Sequence, residues 1–419
     1  MDNKDNHLDK VVDTVITGIK APVKITEDVI AETAGLMSRD GELKPGEGKL
    51  TGVIALGLAI LSFLAVMCFH YPQYLTTPEV RHHYSVDTMR YILSAALIVS
   101  GLFSVLNVVF NRSRKINLAA LAIVGVSMAW GGSKVPVGAF PTDTPYIGLD
   151  WFILSLLAST MIFMVIEKIF PLYKNQVLFR REWQTDLKHF AFNHFIVGLV
   201  LLITNFLLHH FFSYLVNSHF QQFVAGISFL PQLFLCALVA DLMEYGTHRA
   251  YHEVPFLWKF HSVHHSIKTI DWLAGSRQHI CELLCTRIAV LAPLYICGFS
   301  QSVMNTYIII IGFQAVFNHA NVHINWGPLK YIFVTPQFHH WHHASDDEAI
   351  DRNYASTFAF IDYMFGTAVK VPKGKEFPEK YGVVGDYVPD GFLKQQAYPF
   401  KSSWQDIKQK IVVNEEGQE

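Results

Sequence analysis

Long apolar segments recur along most of the 419-residue chain and are separated by short polar loops. A helix needs about 20 mostly apolar residues to cross a bilayer. Six segments approach this length and predict transmembrane helices at 51–69, 91–110, 117–130, 151–170, 195–208 and 229–243. Two shorter segments, 288–299 and 303–317, predict a helical hairpin that enters the membrane and returns. The pattern therefore predicts an all-α, polytopic integral membrane bundle.

The polar ends of the chain and the spacing of these spans predict its organisation. The apolar residues between positions 8 and 30 recur at helical intervals, which predicts an amphipathic helix. This stretch lacks the basic-then-apolar layout of a cleavable signal peptide. We expect a polar N-terminal region at 1–49, an additional four-span membrane region at 50–170, a second membrane domain at 171–370 and a cytosolic tail at 371–419.

Basic residues in the short loops predict the orientation of the spans. The loops at 111–116 and 173–188 are richer in Lys and Arg than the loops at 70–90 and 131–149. Such positively charged loops stay in the cytoplasm, so the chain returns to the cytoplasmic side near residue 244. The C-terminal NEEGQE is not an endoplasmic reticulum retention signal. The sequence therefore does not distinguish the endoplasmic reticulum membrane from a bacterial inner membrane as the location of the protein.

Composition supports a membrane protein and draws attention to histidine. Hydrophobic residues make up 51% of the chain and charged residues only 16%, against about 25% charged residues in an average soluble domain. The formal net charge of −2 gives no basic field, so we expect no nucleic-acid partner. Histidine is unusually frequent, with 21 residues.

Ten of the histidines fall into four short clusters with the spacings HxxxH, HxxHH, HxxxH and HxxHH. Spacings of three and four residues place side chains on one face of a helix. Neutral imidazole is a common metal ligand, and ten ligands exceed what one ion accepts. The clusters therefore predict two ions with about five nitrogens each, although spacing does not choose among Fe, Zn, Cu and Ni. The predicted ligands are His248, His252, His261, His264, His265, His319, His323, His339, His342 and His343.

Two acidic residues precede the first histidine cluster on the same predicted helix. Asp241 and Glu244 lie seven and four residues before His248, on one helix face. Ionisable residues are uncommon within apolar segments and usually have a function there. We expect both carboxylates to orient ligand rings in the catalytic site, and a purely structural role is the alternative. His340 points away from its neighbours on a helix and is left out of the ligand set.

The clusters and their flanks resemble the fatty acid hydroxylase and sterol desaturase superfamily of membrane di-metal enzymes. The resemblance rests on DLMEYGTHRAYHEVPFLWKFHSVHHS (241–266), FNHANVHINWGPLKYIFVTPQFHHWHH (317–343) and NYASTFAFIDYMFGT (353–367). It covers about residues 180–370, leaves 1–170 unexplained, and implies a membrane helical bundle with a cytosolic histidine-rich cap holding two iron ions. In GSRQHICE (275–282), Arg277, His279 and Glu282 match a pattern of relatives. A buried Arg277–Glu282 pair and a catalytic role both stay open.

The resemblance also implies an oxidoreductase that uses O2 to hydroxylate or desaturate a C–H bond of a lipid from the bilayer. The lipid would be a sterol, a fatty acyl chain or an alkylglycerol, and purified protein can carry zinc in place of iron. The sequence has no dinucleotide, haem-attachment or ferredoxin motif. We therefore expect an external electron donor: a reductase, a cytochrome, a ferredoxin or a reduced pterin.

Two alternative functions would use the same histidines in a different way. One is a monooxygenase that cleaves an ether lipid or an aldehyde at the same site. The other is a histidine-based metal transporter or sensor. Transport predicts ionisable residues distributed through several spans, and the first four predicted spans contain almost none apart from Glu167.

Overall fold

A computed structural model describes residues 49–77, 81, 85–110, 114–137, 146–177, 180–371, 375–384 and 387–401. These residues form helices and loops with two isolated β-bridges, and the described part of the chain has no β-strand. The all-α prediction is confirmed. The amphipathic helix predicted between residues 8 and 30 lies outside the described residues.

The described α-helices are numbered here in chain order. They are α1 (Lys49–His70), α2 (Pro72–Leu75), α3 (Val86–Phe110), α4 (Arg114–Ala129), α5 (Leu149–Ile169), α6 (Trp183–Phe195), α7 (Val197–Phe212), α8 (Ser218–Ala225), α9 (Phe229–Glu253), α10 (Pro255–His265), α11 (Ile280–Cys297), α12 (Gln301–His319), α13 (Pro336–His342) and α14 (Phe360–Phe365). Short 3-10 turns occur at Gly132–Lys134, Ser213–Leu215, Ala274–Ser276 and Gly327–Tyr331.

Six helices of the described residues are long and apolar enough to cross a membrane. They are Thr51–His70, Val86–Phe110, Arg114–Lys134, Leu149–Ile169, Phe229–Glu253 and Ile280–Cys297. The span predicted at 195–208 is absent from this set because a turn at Ile196 limits α7 to 16 residues. Instead, α11 reaches 18 residues because it begins at Ile280, where the His279 side chain accepts the backbone N–H of Cys281. The predicted segment 288–299 left out the first turns of α11, because they contain the charged residues Glu282 and Arg287.

A first compact unit lies within residues 1–144 together with 177–180. In it, α1, α3 and α4 pack through small side chains, and Ala55, Ala59 and Ala120 are fully buried. Small residues allow the backbones of membrane helices to approach closely. Asn107 Nδ2 donates a hydrogen bond to Asn117 Oδ1 at 3.1 Å, which satisfies polar groups buried between the helices.

The second compact unit lies within residues 145–176 and 181–419. Helix α5 belongs to it: the Glu167 carboxylate accepts the backbone N–H groups of Trp272 at 2.9 Å and Asn321 at 2.8 Å. Helices α9, α11 and α12 pack around a buried apolar cluster that includes Cys236, Leu294 and Tyr307. The histidine clusters lie at or just beyond the C-terminal ends of α9, α10, α12 and α13.

Candidate metal centre

Nine of the ten predicted ligand histidines lie in two compact groups. In each group, one ring nitrogen per residue lies within 4.8 Å of the ring nitrogens of the others. All of these histidines are buried except His252, which is partly buried. The first group is His248, His252, His261, His265 and His342, and the second group is His264, His319, His339 and His343.

The two groups share α10 and α13, and their rings are in contact. His265 of the first group stacks on His343 of the second group, with ring centroids 4.5 Å apart. On α10, the residues four apart, His261 and His265, point to the first group, while His264 points to the second. The groups therefore form one site with two adjacent centres.

Backbone carbonyls fix the tautomers of several rings. The hydrogen bonds are His248 Nδ1 to Tyr354 O at 2.7 Å, His264 Nδ1 to Arg277 O at 2.8 Å, His319 Nδ1 to Ala315 O at 2.8 Å and His342 Nδ1 to Arg352 O at 2.7 Å. A carbonyl oxygen only accepts, so Nδ1 of each ring must carry the hydrogen. The Nε2 atom of each of these neutral rings is then left with a lone pair.

Nε2 atoms of the histidines in both groups face one another at short distances. Nε2 of His248 lies 3.0 Å from Nε2 of His261, and Nε2 of His319 lies 3.2 Å from that of His264. Two lone pairs repel at this distance unless a cation lies between them. Two nitrogens bound at about 2.1 Å to one ion at a right angle would be separated by about 3.0 Å. The donor set and its spacing therefore fit two metal ions.

Glu282 orients one of the predicted ligand rings. His261 Nδ1 donates to Glu282 Oε1 at 2.8 Å, and both side chains are buried. Arg277 pairs instead with Asp186, Nε to Oδ1 at 2.6 Å, and with Glu182, Nη1 to Oε2 at 3.1 Å. The Arg277–Glu282 pair that the sequence left open does not form. The two residues support separate predicted ligands, His264 through the Arg277 carbonyl and His261 through the Glu282 carboxylate.

His323 is the predicted ligand that the structure does not bring to either group. Helix α12 ends at His319, and Ala320 adopts an extended conformation with ψ of 143°. The four-residue spacing from His319 therefore no longer places His323 on the same helix face. Its side chain is 46% exposed, and its Nε2 lies 3.4 Å from Glu376 Oε2. His340, which the sequence left out, is buried, with Nε2 donating to Ala320 O at 3.1 Å.

Asp241 and Glu244 occupy different surroundings on α9. The Asp241 carboxylate accepts three consecutive backbone N–H groups, from Ser356, Thr357 and Phe358. Glu244 is partly buried one turn before His248. Among the described residues, the hydrogen bonds of Asp241 thus hold a loop that is distant in the sequence. A role in orienting ligand rings stays a prediction for both carboxylates.

Sequence reasoning missed Gly275 and the turn that precedes Tyr354. A Cβ atom at Gly275 would lie 2.8 Å from His319 Nδ1, so only glycine leaves room for that ring. Asp351 and Asn353 have positive φ values of 57° and 60°, a conformation that Asp and Asn tolerate better than most residues. They flank Arg352, whose backbone carbonyl accepts the hydrogen bond from His342 Nδ1. The Asp–Arg–Asn sequence is the signal that could have pointed to this turn.

Comparisons with known proteins agree with this arrangement. Residues 233–367 match the fatty acid hydroxylase family. The ornithine lipid hydroxylase OlsE of Rhizobium tropici is 27% identical over 299 residues, which cover 70% of this chain and 87% of that protein. The alkylglycerol monooxygenase of Caenorhabditis elegans is 32% identical over 132 residues, covering 32% of this chain and 26% of that protein.

A third relative extends the set of named activities. The very-long-chain aldehyde decarbonylase GL1-8 of Oryza sativa subsp. indica is 28% identical over 153 residues, covering 36% of this chain and 57% of that protein. No solved structure matches the chain. The family match spans both histidine groups, and it agrees with the superfamily that the histidine boxes predict. The part of this chain that resembles a fatty acid hydroxylase domain is therefore residues 233–367.

Proposed function

We propose that the chain is a membrane-bound di-iron oxygenase that uses O2 to hydroxylate or desaturate a C–H bond of a lipid. The observation that carries the proposal is the set of buried Nε2 lone pairs that face one another in two adjacent groups. The first ion would be held by His248, His252, His261, His265 and His342, and the second by His264, His319, His339 and His343. His323 is left out of this ligand set.

The surrounding residues keep the ligands neutral and correctly oriented. Burial holds the pKa values of His261, His264 and His265 well below the ordinary value for histidine. Neutral imidazole is the form that binds a metal. The carbonyls of Tyr354 and Arg277 then direct the Nε2 atoms into the site. The protein therefore presents preformed donors at neutral pH, and ligand protonation does not compete with metal binding there.

These histidines would hold two iron ions, which would supply the chemistry for reducing O2 so that an unactivated C–H bond can be attacked. All-nitrogen ligation suits iron among several metals, and zinc could occupy the same site in purified protein. The electrons would come from an external reductase, cytochrome, ferredoxin or reduced pterin. We place the histidine groups on the cytoplasmic side, which requires that the apolar helix α7 also crosses the membrane between the basic loop at 173–188 and α9.

Hydroxylation of a lipid is the favoured outcome among the possible reactions. The relative named ornithine lipid hydroxylase aligns over most of its own length and most of this chain. The alkylglycerol monooxygenase aligns over only 26% of its length, and it supports ether-lipid cleavage as the second candidate.

The test is a turnover assay with 18O2, a chemical reductant and a mixed lipid extract, read by mass spectrometry. Hydroxylation would add one labelled oxygen to a lipid, desaturation would remove two hydrogens without label, and ether cleavage would release a labelled aldehyde. His342→Ala should abolish product formation, and His340→Ala, its neighbour outside both groups, should retain it. Unchanged turnover in His342→Ala would contradict the proposal.

A further inference from the structure

A non-helical segment, residues 354–358, lies alongside the membrane helix α9 and extends from the end that carries the histidines to the middle of the helix. Residues 354–358 are joined to α9 through Asp241, which is the central residue of that 25-residue helix. Further contacts extend the segment along α9: Phe358 packs on Phe234 with ring centroids 5.7 Å apart, and Phe365 stacks on Tyr245 at 5.0 Å. Phe234 and Tyr245 are 11 residues apart, which is about 16 Å along a helix.

Two carboxylates satisfy every backbone N–H group of residues 354–358. Asp362 accepts the N–H groups of Tyr354 at 2.9 Å and Ala355 at 2.8 Å. Asp241 accepts the next three, from residues 356, 357 and 358, at 3.0, 3.0 and 2.6 Å. No water is needed to complete the donors of this segment.

Carbonyl oxygens of the same segment are also paired within the protein. Asn318 Nδ2 donates to Ser356 O at 2.9 Å, and the backbone N–H of Val334 donates to Thr357 O at 2.8 Å. Irregular backbone is tolerated at membrane depth only where protein groups satisfy it. This segment meets that requirement, and a loop in water would not need a buried carboxylate for three successive donors.

The outward face next to this segment is apolar. It is formed by two short stretches that pack on each other, with the Tyr331 and Tyr363 rings 5.6 Å apart. All of its large side chains are exposed, and we call it the re-entrant face: Tyr331, Ile332, Phe333, Tyr363, Met364 and Phe365. It is continuous with α9, because Phe333 and Phe234 both contact the ring of Phe358.

We propose that residues 331–333 and 354–365 form a re-entrant element seated in the bilayer, and that acyl chains of membrane lipids cover its re-entrant face. Helix α9 is long and apolar enough to span the membrane, and Phe358 contacts it at Phe234, within the apolar run 229–243, so the same lipids that surround α9 reach this face. Asp241 is the anchor of the element. The inference rests on membrane insertion of α9 and is independent of the metal chemistry.

The element also connects the bilayer to the metal centre. The carbonyl of Tyr354, at its start, accepts the hydrogen bond from Nδ1 of His248. Lipid contact on one side of the segment therefore lies only a few residues from the group that orients a proposed ligand.

The experiment uses a bimane fluorophore on single cysteines introduced into the full chain after its five native cysteines are replaced by serine. The test sites are Met364→Cys, where the native side chain is 63% exposed, and Tyr331→Cys on the other stretch. Met161→Cys on α5, 72% exposed, is the lipid reference, and Glu379→Cys, with a side chain 66% exposed, is the aqueous reference. Each variant is placed in phosphatidylcholine nanodiscs, and a thermal unfolding transition that matches that of the parent chain verifies its fold.

Two quenchers distinguish the surroundings of each label. We expect lipid with a nitroxide on its acyl chain to quench the Met364→Cys and Tyr331→Cys labels as strongly as the Met161→Cys label. Aqueous iodide should quench them several-fold less than the Glu379→Cys label. Iodide quenching equal to that of Glu379→Cys would overturn the proposal, because the face would lie in water. Protection from both quenchers would also overturn it, because protein would then cover the face.

Discussion

Replacement of Gly275 by alanine should selectively disturb the second histidine group. The added Cβ would lie 2.8 Å from His319 Nδ1, and ordinary contact begins at 3.4 Å, so the ring or the turn must move by 3.4 − 2.8 = 0.6 Å. The ring cannot rotate freely, because its Nδ1 donates to Ala315 O at 2.8 Å. Metal–ligand distances tolerate only about 0.2 Å of change. Overpacking of this kind also costs about 1–3 kcal/mol of folding free energy.

The assay is metal content per chain after equilibration against increasing concentrations of a chelator. Gly275→Ala should release one ion at a chelator concentration about 10- to 100-fold lower than the wild type requires, which is the usual effect of disturbing the support of a ligand. The ion of the first group should remain. Gly312→Ala is the matched control on the helix that carries His319, because nothing lies within 4 Å of a Cβ at Gly312. If both variants hold two ions with wild-type affinity, the proposed role of His319 is wrong.

Four further substitutions separate ligand support from structural roles. Glu282→Gln keeps an acceptor for His261 but removes the charge, so chelator competition should show about 10-fold weaker binding of one ion; unchanged affinity would contradict this role. Asp241→Asn presents an N–H group to backbone donors and should lower the free energy of unfolding by about 1–3 kcal/mol; an unchanged melting temperature would argue against the anchor. His323→Ala should keep both ions, because the side chain is exposed, and loss of one ion would return His323 to the ligand set. His340→Ala should lower the melting temperature through a lost buried hydrogen bond while both ions remain, and metal loss would refute that separation.

The helical membrane class and the grouping of most of the predicted ligand histidines were predictable because both depend on local periodicity. Apolar runs of span length are visible in the sequence, and His261 and His265 share a face by helix geometry alone. His323 was assigned by the same rule, and the assignment depends on α12 continuing beyond His319. The chain instead leaves the helix at Ala320, where Glu167 binds the backbone of the next residue. A tertiary contact thus decides the end of the helix.

The partners of the ligand rings were not predictable because they are distant in the sequence. His248 and the carbonyl of Tyr354 are 106 residues apart. Every residue has a backbone carbonyl, so no sequence motif identifies the one that accepts this hydrogen bond. Asp241 illustrates the same limit. Its position in an apolar helix predicted a function, but its contacts with residues 356–358 appear only when the chain is folded.

Elemental analysis of the full chain, purified anaerobically in mild detergent, tests the di-metal site most directly. Two metal ions per folded chain, both iron in the native membrane, is the expected result. Two zinc ions would support the ligand geometry but contradict iron as the resident metal. One ion or none in a chain that is folded by its thermal unfolding transition would contradict the two-centre arrangement of the nine histidines.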